Sequence, residues 1–135
     1  MAYSIILMNG KKRIIVADDE PYVTATLATK LRQAGHEVFT AGDGQQTLAL
    51  AMENLPDLII TDYQMPVMSG YEMSLKLKEN QSTSRIPILM LTARGHHLSA
   101  QQLALTNIRA IFPKPFSARE LVSKVDELLS QPASV

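Results

Sequence analysis

A chain of 135 residues, 46% hydrophobic and 19% charged, has the size of one domain and a balance that argues against intrinsic disorder. Its 13 basic and 13 acidic side chains cancel, which argues against a broad footprint for direct nucleic-acid or acidic-membrane contact, and the lack of cysteine excludes disulfides and thiolate metal sites. No run reaches transmembrane length, and the apolar Ile5 to Met8 lacks the flanks of a signal peptide, so a cytoplasmic location is expected.

Arg13 to Ala17 is a compact β-branched run that stops at Asp18-Asp19-Glu20-Pro21, where proline suits the first turn of a helix. Val23, Leu27, Leu31 and Ala34 recur at helical spacing, which predicts a helix from about Pro21 to Ala34 ended by Gly35. Glu37 to Thr40 reads as a short strand. The turn Ala41 to Gly44 leads into a helix expected to carry Leu48, Met52 and Leu55 on one face, closed by Pro56. Leu58 to Thr61 is a further apolar run; it ends at Asp62, and Met65-Pro66 and Ser69-Gly70 follow as turn punctuation.

Met73 and Leu77 mark the inner face of a third helix, which the polar Asn80 to Arg85 segment ends. Pro87 to Leu91 is a buried strand stopping at Thr92, and the polar Arg94 to Ser99 loop precedes a helix built on Leu103 with Ala104 or Leu105. Ala110 to Phe112 is the fifth strand. Ser117 to Glu120 reads as a capping box, with Leu121, Val122, Val125 and Leu129 as the apolar face of a last helix that ends before Pro132. Residues 1–12 are thus an N-terminal extension, 13–130 the folded domain and 131–135 a C-terminal tail.

Five strand–helix alternations with short connections predict an α/β fold, a doubly wound five-stranded parallel sheet with helices on both faces. Pro113 cannot donate to a sheet ladder, so the fifth strand belongs at an edge, as in the flavodoxin-like order 2-1-3-4-5. In such a sheet the carboxyl ends of the strands face the ligand crevice, which brings Asp18, Asp19, Asp62, Thr92 and Lys114 to one rim. Two carboxylates about 4 Å apart repel by roughly 4 kcal/mol at an effective dielectric near 20, so three of them need a counter-charge. Oxygen ligands with open positions suit Mg²⁺.

Asp62 is then a candidate nucleophile toward a phosphoryl group, with the metal and the Lys114 ammonium neutralising charge and the Thr92 hydroxyl donating. The plainer roles for these residues are helix capping for Asp18, Asp19 and Thr92, and a solvated surface position for Lys114. His96 and His97 have no partner at metal-ligand spacing and read as solvated loop residues. Met65 and Met68 read as turn and core packing.

From Arg13 to about Leu129 the chain resembles the receiver domain of two-component response regulators. Asp18-Asp19 resembles the acidic pair of that family, Asp62 with Met65-Pro66, Met68 and Gly70 its D-x-x-M-P-x-M-x-G signature, Thr92-Ala93 its strand-four hydroxyl motif, and Lys114-Pro115-Phe116 its K-P-F motif. The resemblance implies that Asp62 accepts a phosphoryl group from a histidine kinase or histidine phosphotransfer protein. It also implies direct Mg²⁺ binding by Asp19, Asp62 and the main-chain carbonyl of Gln64, with Asp18 acting through water. Lys114, Thr92 and the backbone of Ala93 would contact the phosphate, and the Lys114-Pro115 bond would be cis. Such a chain is a regulator rather than a conventional enzyme, with an output partner or fused effector on the face of the fourth helix, fifth strand and fifth helix.

Two positions depart from the family pattern. Ile111 stands three residues before Lys114, where the family has Tyr or Phe, and Phe112 beside it is expected on the opposite sheet face. Asn107 stands where many receivers have Gly, and Asn is the next best residue for a left-handed backbone. A Mg²⁺-dependent phosphatase of the haloacid dehalogenase type would need a second Asp where this chain has Gln64. The alternative to which Ile111 points is a receiver-like interaction module that needs no phosphate.

Overall fold

The computed structural model describes residues 11–130. Strands β1 (Arg13–Ala17), β2 (Glu37–Ala41), β3 (Leu58–Asp62), β4 (Ile88–Thr92) and β5 (Ile108–Pro113) alternate with helices α1 (Pro21–Gln33), α2 (Gly44–Asn54), α3 (Gly70–Glu79), α4 (Ala100–Ala104) and α5 (Ala118–Leu129). All strand pairings are parallel and the order is β2-β1-β3-β4-β5, the doubly wound arrangement expected from the sequence. The apolar Ile5 to Met8 and the tail at 131–135 lie outside the described residues.

The central strands read as unbroken apolar runs because both of their faces are covered. Every residue of β3 and of β4 is buried. On one side Ile14, Val16, Leu58, Ile60, Leu89 and Leu91 pack against Leu27 and Leu31 of α1 and against Leu121, Val125 and Leu128 of α5. On the other, Ile15, Ile59 and Ile88 meet Ala51 of α2 and Met73 and Leu77 of α3. Each such aliphatic side chain contributes about 1.5–3 kcal/mol by leaving water. The carboxyl ends of β1, β3, β4 and β5 are thereby fixed relative to one another.

Several local expectations need correction. The inner face of α2 is formed by Thr47 and Ala51 with the expected Leu48 packed beside them, while Met52 and Leu55 are exposed. Asp43 sets the phase of that helix by accepting the Gln46 N–H at 2.7 Å, and Leu55 already lies beyond its end, at φ 46. The helix starts close to the loop after β3: a Cβ on Gly44 would collide with the Met68 carbonyl. Ala34 is the exposed C-cap of α1 rather than part of its apolar face. The full reciprocal capping box occurs at Ser99 and Gln102 of α4, whereas Ser117 provides one half by accepting the Glu120 N–H. Leu128 joins the buried face of α5 and Leu129 is half-buried at its rim.

Asn107 does not adopt a left-handed backbone, which among the described non-glycine residues is confined to Leu55 and Val67. The entry to β5 is instead closed by Thr106, whose Oγ1 accepts the Ile108 N–H at 3.2 Å, and the Asn107 carbonyl accepts the Ile88 N–H. A register shift follows at once: Ile88 pairs with Ile108 but Leu89 with Ala110. Ile111 therefore lies opposite Met90, and Phe112, opposite Leu91, packs on the α1 and α5 side of the sheet.

Candidate functional site

Asp62 is the last residue of β3 and is 8% exposed. The main chain of Asp62 and the following Tyr63 is held by three hydrogen bonds. Thr61 Oγ1 donates to the Asp62 carbonyl at 3.0 Å, the Tyr63 N–H donates to the Leu91 carbonyl at 2.8 Å, and the Gly70 N–H donates to the Tyr63 carbonyl at 2.8 Å. Gly70 opens α3 directly against this strand end, and a Cβ there would collide with the Asp62 carbonyl. The glycine is thus required by close approach rather than by an unusual φ.

Asp18, just past β1, is 2% exposed, and its Oδ1 accepts the Glu20 N–H at 2.9 Å. The N-cap of α1 is Glu20, which makes no side-chain cap bond, so Asp18 and Asp19 do not serve as the cap. Asp19 is exposed. Carboxylate oxygens of Asp18, Asp19 and Asp62 all lie within 4.8 Å of one another. Gln64 follows in the exposed loop after β3.

Lys114 follows β5 and is anchored by its own N–H, which donates to the Thr92 carbonyl at 2.7 Å. The Lys114-Pro115 bond is cis. Its ammonium donates to Asp18 Oδ2 at 2.8 Å and to Asp62 Oδ2 and Glu20 Oε1 at 3.3 Å each. Glu20 was not among the residues expected at the site, although its place directly after the acidic pair was a usable signal. Thr92 is 1% exposed and its Oγ1 has no hydrogen-bond partner. Ala93 beside it is exposed.

The electrostatics follow from this crowding. Burial first, and then the charge of Asp18, push the Asp62 carboxyl above its usual range, against the lowering effect of Lys114. Burial alone would lower the Lys114 pKa, but the hydrogen bond and charge of Asp18, followed by those of Asp62, push it up. One ammonium among Asp18, Asp19, Glu20 and Asp62 leaves an excess of negative charge. Three convergent carboxylates, with no sulfur or imidazole among them, form a donor set that fits Mg²⁺.

An aromatic group borders the site that sequence spacing did not reveal, because its members come from three separate segments. The Tyr63 ring lies 6.3 Å from that of Tyr71 and 4.3 Å from that of His96. His96 and His97 are exposed, as expected, and His96 has this ring contact in addition.

The response regulator receiver domain model matches residues 14–126. The chain belongs to the response regulator receiver domain family. Among relatives of this receiver domain, the phosphate regulon transcriptional regulatory protein PhoB of Pseudomonas aeruginosa is 37% identical over 118 residues, covering 87% of this chain and 52% of that protein. The alkaline phosphatase synthesis transcriptional regulatory protein PhoP of Bacillus subtilis is 35% identical over 118 residues, covering 87% and 48%. The chain therefore spans about half the length of these relatives. Among solved structures, the chemotaxis response regulator CheY4 of Vibrio cholerae superposes with a TM-score of 0.78 at 30% identity, covering 86% of this chain and 97% of that one. Among the described residues of this receiver domain, no helix is long and apolar enough to cross a membrane.

Proposed function

We propose that this receiver domain is the phosphorylation-activated switch of a two-component system, taking a phosphoryl group onto Asp62 from a histidine kinase or histidine phosphotransfer protein in a Mg²⁺-dependent reaction. The observation that carries the reading is the buried Thr92 hydroxyl without a partner, at the end of the strand beside Asp62. A buried polar group left unpaired costs about 1–3 kcal/mol, and a phosphoryl oxygen on Asp62 would pair it.

In the transfer, an Asp62 carboxylate oxygen forms a bond to phosphorus while the phosphorus–nitrogen bond of the donor phosphohistidine breaks, its electron pair leaving with the imidazole. Lys114 holds positive charge against the phosphoryl oxygens, and Thr92 Oγ1 and the backbone of Ala93 donate to them. Bound Mg²⁺ would supply the counter-charge that one lysine cannot. Its proposed ligands are Asp19, Asp62 and the Gln64 carbonyl, with Asp18 acting through water. The chain would act as a regulator rather than a conventional enzyme.

An output protein or fused effector would meet the face of α4, β5 and α5. The module is proposed to be cytoplasmic, and its net charge of zero, which gives no broad electrostatic footprint, supports the reading that it contacts neither nucleic acid nor membrane directly. Ile111 favours a second reading, a phosphate-independent interaction module. Incubation with acetyl phosphate and Mg²⁺ followed by intact mass measurement separates the two. The wild-type chain is expected to gain one phosphoryl group and Asp62→Asn none; no gain in wild type would leave the second reading.

A further inference from the structure

We propose that Tyr63, Tyr71 and His96 form the lever by which the state of Asp62 is transmitted to α4, in place of an aromatic side chain at position 111. The inference rests on the phosphoacceptor reading and adds the route by which the switch leaves the site. Tyr63 is bonded in sequence to Asp62, and its ring contacts two others: Tyr71 of α3 at 6.3 Å and His96 of the β4–α4 loop at 4.3 Å. Each neighbour is tied by a hydrogen bond to the segment after β4 or to α4. The His96 N–H donates to the Ala93 carbonyl at 3.0 Å, so the imidazole travels with the segment that follows Thr92. The Tyr71 hydroxyl donates to the Gln102 carbonyl of α4 at 3.0 Å.

The element at the far end is weakly held. α4 has five residues, and none of them is buried. Leu105 just after it is 56% exposed. With so little apolar surface to fix α4, a single hydrogen bond from a ring on α3 has leverage on its position. At the near end, the buried Thr92 hydroxyl without a partner is free to turn toward new phosphoryl oxygens. As the Ala93 backbone also closes on the phosphoryl oxygens, it draws the bonded His96 with it, and the imidazole slides off Tyr63. Tyr63 and Tyr71 then repack, and the Tyr71 hydroxyl leaves Gln102. Ile111 lies opposite Met90 within the β4–β5 pairing and has no polar tip with which to make such a link.

Loss of one ordinary hydrogen bond shifts a two-state balance by up to about tenfold, which sets the size of the expected effect. The test uses the whole chain, free and with beryllofluoride and Mg²⁺ in place of the phosphoryl group, and follows amide hydrogen exchange over residues 99–106. In wild type, beryllofluoride should speed exchange there by up to about tenfold. Tyr71→Phe keeps the ring and removes the hydroxyl; its free form should already exchange faster, beryllofluoride should add little, and acetyl phosphate should still label it. His96→Ala should label normally and lose most of the beryllofluoride response. A wild-type response in both variants, with labelling intact, overturns the lever and leaves the phosphoacceptor reading standing. A wild-type chain that neither labels nor responds overturns that reading and the lever with it.

Discussion

The Lys114 ammonium sits closer to Asp18, at 2.8 Å, than to Asp62, at 3.3 Å, so the lysine that faces the candidate phosphoacceptor is clamped by the neighbouring acid. Because these contacts raise the Lys114 pKa above its ordinary value of 10.5, the folded state binds that proton more tightly than the unfolded chain. The stabilisation is present in full below about pH 10.5 and is lost as pH rises through the higher folded value. Lys114→Met should lower stability at neutral pH by about 2 kcal/mol, less than for a fully buried pair because the lysine side chain is 22% exposed. Denaturant titrations from pH 7 to 11 check both points: wild type should begin to lose this increment above about pH 10.5, and the variant should lack that onset.

Asp62 behaves in the opposite sense. Burial and Asp18 raise its pKa from 3.8, so the folded state holds the proton longer and stability falls as pH rises from about 3.8 through the raised value. Asp62→Asn should be free of this decline. In Mg²⁺-free buffer at pH 7 it should be more stable than wild type by about 1 kcal/mol, measured by thermal or denaturant unfolding.

Asp19 is the exposed member of the acidic group, while Asp18 is committed to Lys114 and to the Glu20 N–H. Asp19→Ala should therefore fold normally and lose Mg²⁺ affinity by at least tenfold, the scale of one charged ligand. Calorimetric or fluorescence titration with Mg²⁺ alone measures it. Equal affinity in wild type and variant would remove Asp19 from the metal's ligands.

Val67 carries an unusual strain. It lies at φ 69, 75% exposed, between Pro66 and Met68, and the Met68 N–H donates across it to the Pro66 carbonyl at 2.7 Å. A β-branched residue is unfavourable in that region. Val67→Asn or Val67→Gly should raise stability by about 1 kcal/mol, read as a higher denaturation midpoint with an unchanged slope.

Gly70 gives the reverse case. Gly70→Ala would drive a Cβ into the Asp62 carbonyl and toward Thr61 Oγ1, both buried. The backbone must shift, so a loss of about 2 kcal/mol or more is expected, with phosphorylation from acetyl phosphate slowed because Asp62 moves. Faster or unchanged labelling with wild-type stability would show that the contact is easily relieved.

The sequence by itself determined the alternation of elements, the strand order and the set of strand-end side chains, because periodicity, punctuation by Gly and Pro, and parallel connectivity are local or nearly local properties. Pro113 was enough to put β5 at an edge, and the apolar runs of β3 and β4 were enough to bury them. Only the tertiary structure decided that Ala51 and not Met52 faces the sheet, since the Asp43 cap and the close approach of Gly44 to the loop after β3 set the phase of α2. It alone assigned Lys114 to Asp18 as well as Asp62, added Glu20, and left the Thr92 hydroxyl buried without a partner. The grouping of Tyr63, Tyr71 and His96 was invisible in the chain for the same reason: contacts between separate segments are set by how the elements pack, and no spacing along one of them encodes it.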